Sequence, residues 1–344
     1  MIRLLIVDDS ATYCEILKNI FSRVPDMTIA GIAHNGRSAI KMAAELRPDL
    51  ITMDVNMPDM DGYETTDAIL RILPVPIVMV SASNRNHESD FNAMQAGAVA
   101  MIEKPGMVMD SNYSHNVENL VNLVRNMATV KVFKRHILTE EKKSEHIAPE
   151  LPAIVNCEIA AIGISTGGPP ILACMLKMLP SSLPFPICII QHIPKGFSDS
   201  LIGWLGKVSS LPVLSMADGD TLKPGTVYVA PGGSVASLKA PKTFSVVPET
   251  KTNTPSPSVD VFFDSINEFY GAKALAVLMS GMGRDGAQGL LHLHNSGAET
   301  VVQDRESSIV YGMPEEALKL KAAKHVMTPD DIVDFIRKLA EAKR

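Results

Sequence analysis

Charged and polar side chains stand at the ends of four short apolar runs in the first third of the sequence. Asp8 and Asp9 follow Leu4–Val7, Asp54 follows Leu50–Met53, Ser81 follows Ile77–Val80, and Glu103 and Lys104 follow the run near Val99–Ile102. If those runs are neighbouring parallel strands, the side chains at their carboxyl ends meet in one crevice. Crowded carboxylates raise one another's pKa unless a cation intervenes, and an all-oxygen ligand set suits Mg²⁺, which shares a phosphate readily. The pattern predicts a metal-assisted phosphoryl site. Asp54 is its nucleophile, Asp8, Asp9, Asp54 and the Asn56 carbonyl are its metal ligands, Lys104 neutralises phosphate oxygens and Ser81 hydrogen-bonds one of them. Any one of these residues taken singly would read as a solvated turn residue.

A second set lies beyond residue 156. Gly163-Ile164-Ser165-Thr166-Gly167 fits G-x-S-x-G, in which small neighbours let a serine sit on a sharp strand-to-helix turn. On its own the pentad reads equally well as a helix cap or an anion-binding nest. A serine hydroxyl is a poor nucleophile, so a hydrolase needs a base within reach. His292 and His294 fall in a helix-like run, with His294 placed to favour the helix's C-terminal dipole, and His325 lies in a lysine-rich stretch. His192 instead follows the apolar run Ile187–Ile190 and should project from the same sheet edge as Ser165, which makes it the candidate base. Asp285, in Gly-Met-Gly-Arg-Asp-Gly after another apolar run, is the candidate carboxylate that fixes the imidazole tautomer, and the same residue could cap the helix that follows it. Backbone N–H groups of Thr166 and Met282 are candidate donors to an oxyanion.

The elements that must hold these groups follow from periodicity. Short apolar runs alternate with helix-length segments in both halves, the rhythm of parallel strands joined by crossover helices, so the expected architecture is two doubly wound α/β sheets. Between about 129 and 156 the chain is rich in charge and bounded by Pro149 and Pro152, which reads as a linker. The expected division is 1–127, a linker at 128–156, and 157–344. The segment GDTLKPGTVYVAPGG reads as turn, strand, turn and suggests an antiparallel edge or hairpin, while Met313-Pro314 should open a helix.

Composition narrows the class. The 344 residues exceed what one hydrophobic core usually supports, and 46% hydrophobic with 20% charged residues is a globular balance. A formal charge of -6 disfavours a nucleic-acid surface. No stretch is apolar for about 20 residues, as a membrane span requires, and no cleavable leader pattern opens the chain, so a cytoplasmic location is expected. Cys14, Cys157, Cys174 and Cys188 lack metal-ligand spacing, and three of them lie near or within apolar runs, so buried reduced thiols are the expected reading.

The strings VDDSA, MDVNMPDMDGYE, VSAS and EKP together resemble response-regulator receiver domains over about the first 125 residues. That resemblance implies a flavodoxin-like fold and phosphorylation by a partner histidine kinase. Glu103 before Lys104, and the lack of the usual acid-aromatic pair after Val99, depart from the common pattern on the docking face rather than in the phosphoryl chemistry. GISTGGP, QHIPKGFSDSL, PSVDVFFDS, MSGMGRDGAQG and VVQDRESSIVYGMP resemble the chemotaxis protein-glutamate methylesterase family. The resemblance implies a Rossmann-like catalytic domain in which Ser165, His192 and Asp285 act on glutamate methyl esters, and on selected glutamines, of methyl-accepting chemotaxis receptors. It implies no cofactor for the ester reaction, and a receiver that restrains the esterase until Asp54 is phosphorylated. Ser256 stands where many members carry a basic residue at the substrate cleft, which bears on substrate preference rather than reaction type. The competing readings are an esterase or amidase of another sensory pathway, and a docking module with an inert second half.

Overall fold

In a computed structural model, every apolar run singled out above is a strand or the body of one. The structure describes residues 1–81, 96–106, 113–128, 156–193, 197–249 and 256–343. Most of the expected linker, residues 129–155, lies outside these. The chain forms two compact units, Met1–Lys143 and Ser144–Arg344.

The first unit runs β1 (Ile2–Val7), α1 (Ala11–Phe21), β2 (Met27–Ala33), α2 (Gly36–Leu46), β3 (Leu50–Asp54), α3 (Gly62–Ile72), β4 (Ile77–Ser81), β5 (Ala100–Glu103) and α4 (Tyr113–Met127). Its five strands are parallel in the order β2-β1-β3-β4-β5, the flavodoxin-like order. Leu5 and Val7 join Ala39, Ala43 and Ile69 in one cluster, and the alternate Leu4 and Ile6 are equally buried, so helices cover both faces. Ser10, Asn35 and Asp61 each accept a backbone N–H in the first turn of the helix they precede. These caps start α1, α2 and α3 close behind the strands.

The second unit runs β6 (Ile159–Ile164), α5 (Gly168–Met178), β7 (Ile187–Gln191), α6 (Ser198–Val208), β8 (Val213–Ser215), β9 (Val227–Val229), β10 (Ser234–Ala240), β11 (Thr243–Pro248), α7 (Val259–Phe269), β12 (Ala274–Leu278), α8 (Ala287–Asn295), β13 (Glu299–Gln303), α9 (Met313–Lys319), β14 (His325–Met327) and α10 (Pro329–Ala342). Seven strands form a parallel sheet in the order β14-β13-β12-β6-β7-β9-β8. From β6 the chain winds outward through β7 to β8 and β9, then returns to β12 on the other side of β6 and winds away to β14. The junction of β6 and β12 is therefore the switch point, where helices leave the carboxyl ends in opposite directions and open a crevice.

Two expectations are corrected here. Val227–Val229 is not an antiparallel edge, because β9 pairs parallel with β7 and β8 and all three of its residues are buried, as a strand covered on both faces must be. The antiparallel hairpin is the next segment, β10 with β11. Cys14, Cys157 and Cys188 are buried, but Cys174 is exposed, since it falls on the solvent side of α5. Met313 and Pro314 do open α9 with proline in its first turn.

Candidate functional site

At the carboxyl edge of the first sheet, Asp8 lies just past β1, Asp54 ends β3, Ser81 ends β4 and Lys104 follows β5. Asp8, Asp9 and Asp54 each place a carboxylate oxygen within 4.8 Å of the others. Lys104 Nζ is 2.7 Å from Asp8 Oδ2 and 3.1 Å from Asp54 Oδ2. It also lies 4.5 Å from the centre of the Tyr13 ring, and the Lys104 amide donates to the Ser81 carbonyl at 2.7 Å. Burial, and then repulsion from Asp8, pushes the Asp54 pKa up, against the pull of Lys104.

Three oxygen donors so close, two of them on buried residues, fit the small octahedral shell of Mg²⁺. Asn56 is exposed two residues beyond Asp54, in a loop from which a backbone carbonyl can complete that shell. Gly62 brings α3 against this strand end: a Cβ there would overlap the Asp54 carbonyl oxygen.

In the second unit, Ser165 follows β6, His192 follows β7, and Ser280, Met282 and Asp285 follow β12. These three strands are adjacent, with Ile164 in register with Gln191 and Gly163 with Leu278. The Ser165 amide donates to the Ser280 carbonyl at 2.9 Å and the His192 amide to the Ile164 carbonyl at 3.1 Å. Gly167 takes a positive φ of 78° and packs where a Cβ would overlap Ile309, so the turn that exposes the serine requires glycine at this position.

His192 Nε2 and Asp285 Oδ2 are 2.7 Å apart. With Nε2–H donated to the carboxylate, Nδ1 is the ring nitrogen left to accept a proton. Asp285 also accepts from Ser258 Oγ at 2.9 Å and from the Val259 and Asp260 amides at 2.7 and 3.2 Å. Burial works to raise the Asp285 pKa, but the bonds from His192 and from these amides outweigh it and hold the carboxyl below its usual value. The expected cap is corrected by these contacts. Asp285 serves the N-terminus of α7, whereas α8 has Gly286 as its N-cap and no side-chain cap. An anion at a helix N-terminus meets unpaired N–H groups and the positive end of the helix dipole. The sequence signal for this clamp was Ser-Val-Asp at the start of a helix, 27 residues before its partner in the chain.

Neither the Thr166 nor the Met282 amide has an acceptor among the described residues, so both remain open to a substrate oxygen. The three other candidate histidines are engaged elsewhere: His292 with Asp264, His294 with Thr300, His325 with Glu299.

A flavodoxin-like sheet with three acids and a lysine at its carboxyl edge, followed by a doubly wound parallel sheet with a serine turn and a His–Asp pair at its switch point, defines a hydrolase domain joined to a receiver domain. Residues 4–110 match the family model for the response regulator receiver domain and residues 160–336 that for CheB methylesterase. The chain belongs to the CheB methylesterase family. It is 40% identical to the protein-glutamate methylesterase/protein-glutamine glutaminase 4 of Geobacter metallireducens and 38% to the corresponding protein 2 of Methanospirillum hungatei, over all of each chain. The crystal structure of the Thermotoga maritima CheB methylesterase catalytic domain matches 54% of this chain and all of its own, with TM-score 0.51 and 36% identity.

Proposed function

We propose that the chain is a phosphorylation-regulated serine hydrolase that demethylates glutamate methyl esters, and deamidates selected glutamines, on methyl-accepting chemotaxis receptors. The observation that carries this reading is the 2.7 Å His192–Asp285 pair, locked by a helix N-terminus on the sheet edge that also presents Ser165. Ser165 Oγ attacks the ester carbonyl carbon as its proton passes to His192 Nδ1, while Asp285 stabilises the imidazolium. The carbonyl oxygen, now an oxyanion, is held by the Thr166 and Met282 amides. His192 returns the proton to the departing methoxy oxygen, methanol leaves, and the glutamyl group remains on Ser165. Water deprotonated by His192 then attacks the acyl carbon, releasing free glutamate and the serine. With a glutamine side chain the leaving group is ammonia, and the remaining steps are unchanged.

In the first unit, the Asp54 carboxylate takes a phosphoryl group from a histidine kinase. Bound at Asp8, Asp9, Asp54 and the Asn56 carbonyl, Mg²⁺ would supply neutralisation of the converging negative charge. Lys104 neutralises phosphoryl oxygens and Ser81 hydrogen-bonds one of them. Phosphorylation raises ester hydrolysis by favouring the active arrangement, which requires the phosphate to interact differently with the two arrangements. A cytoplasmic location follows from the kinase and receptor partners. No helix among the described residues is long and apolar enough to cross a membrane.

Methanol release from methylated receptor membranes, with and without a small-molecule phosphodonor, tests the whole reading. Ser165→Ala should abolish release while phosphate is still accepted. Undiminished release from that variant would remove Ser165 from the mechanism.

A further inference from the structure

We infer that Gln191 is a positioning residue of the hydrolase, one side-chain amide that staples the nucleophile to the base. Gln191 is the last residue of β7, directly before His192, and strand alternation sends its side chain to the opposite side from the imidazole. It is 3% exposed. Its Nε2 donates to the Ser165 carbonyl and to the His192 carbonyl, each at 2.9 Å. The two protons of a single nitrogen thus fix the backbones of both reacting residues, from β6 and β7.

The surroundings dictate the amide's orientation. Both facing atoms are carbonyl oxygens, so a nitrogen must face them. Oε1 turns the other way, buried with no hydrogen-bond partner, against Gly168, where a Cβ would overlap it. Gly168 is the first residue of α5, so this oxygen rests at the positive end of a helix dipole. An orphaned buried acceptor costs free energy, and a residue chosen only to fill the space would not incur that cost. The donor end is what the site uses.

Ser165 and His192 must hold a near-attack geometry, and a displacement of about 1 Å can cost on the order of 100-fold in rate. Removing the staple should therefore lower kcat and leave receptor binding alone. The inference rests on the hydrolase reading but fails separately from it: Ser165→Ala tests the reaction, whereas Gln191 substitutions test its alignment.

Two near-isosteric variants of the full chain, Gln191→Met and Gln191→Glu, decide the matter. Active sites are counted by complete labelling of Ser165 with a serine-reactive phosphonate, so that unfolded protein does not enter the rate. Per labelled site, Gln191→Met should lose about 10- to 100-fold in kcat for methanol release with KM within twofold. Gln191→Glu, whose carboxylate faces two carbonyls, should lose at least as much. If either variant keeps kcat within twofold of the parent, or changes KM alone, Gln191 only fills space and the inference is wrong.

Discussion

Gly281 lies so close to Ser165, the proposed nucleophile, that a methyl group on it would stand 2.7 Å from Ser165 Cβ and overlap the Met313 sulfur. The residue follows the strand beside β6, and its carbonyl also accepts the Gly312 and Met313 amides, so it has no room to retreat. Gly281→Ala must shift Ser165 or the Gly281 backbone itself, and displace the Met313 side chain as well. The expected outcome is a fall of about 100-fold in methanol release per mole of protein, with phosphate acceptance at Asp54 unchanged because that chemistry resides in the other unit. Full esterase activity in this variant would mean that the serine turn is softer than the packing implies.

Asp285 serves two structures at once, the imidazole and the N-terminus of α7. In Asp285→Asn the amide cannot stabilise imidazolium and favours the wrong tautomer, so kcat should fall about 10⁴-fold. The stability effect has a definite sign. The folded carboxyl titrates below its ordinary value, so its stabilisation is present above the unfolded pKa and is lost as pH falls through the folded one. The parent's second unit should therefore lose stability more steeply than Asp285→Asn below the ordinary value of 3.8. Thermal unfolding across that acid range gives the comparison, and parallel curves would show that the clamp contributes nothing.

The sequence made the sheet edges legible because the end of an apolar run marks the end of a buried parallel strand. Ser165, His192, Asp54 and Lys104 all stand at such ends. It did not show what depends on contacts far along the chain. Tyr228 reads as a hairpin strand until β7 and β8 are seen flanking it. Asp285 reads as the cap of its own next helix until α7 arrives from earlier in the chain. Nothing at Gln191 in the sequence marks its role, since that role depends on a carbonyl just past the neighbouring strand. For Gly62, the sequence around it does not show why no side chain fits there; the reason is the Asp54 backbone beside it.

Asp54 is the place where the first unit gives up stability for reactivity. Burial and the neighbouring Asp8 raise its pKa, and Lys104 only partly offsets them. For an acid with a raised folded pKa, the folded state holds more protons than the unfolded one between the two values, so stability falls as pH rises through that window and stays low above it. Asp54→Asn removes the charge. At pH 7 without Mg²⁺ this variant should melt higher than the parent, and the difference should shrink as pH is lowered through the carboxylate range. Mg²⁺ at the proposed site should reverse the ranking, since a ligand at about 100 times its Kd adds ~2.7 kcal/mol to the state that binds it. The parent offers three carboxylates to the ion and the variant one fewer, so the parent should gain more. The same substitution should abolish stimulation of methanol release by a phosphodonor while leaving the unstimulated rate in place. Melting curves at several pH values, with and without Mg²⁺, read the first effect, and paired esterase assays read the second. A variant that melts lower at neutral pH without metal would show that Lys104 fully compensates the acidic cluster.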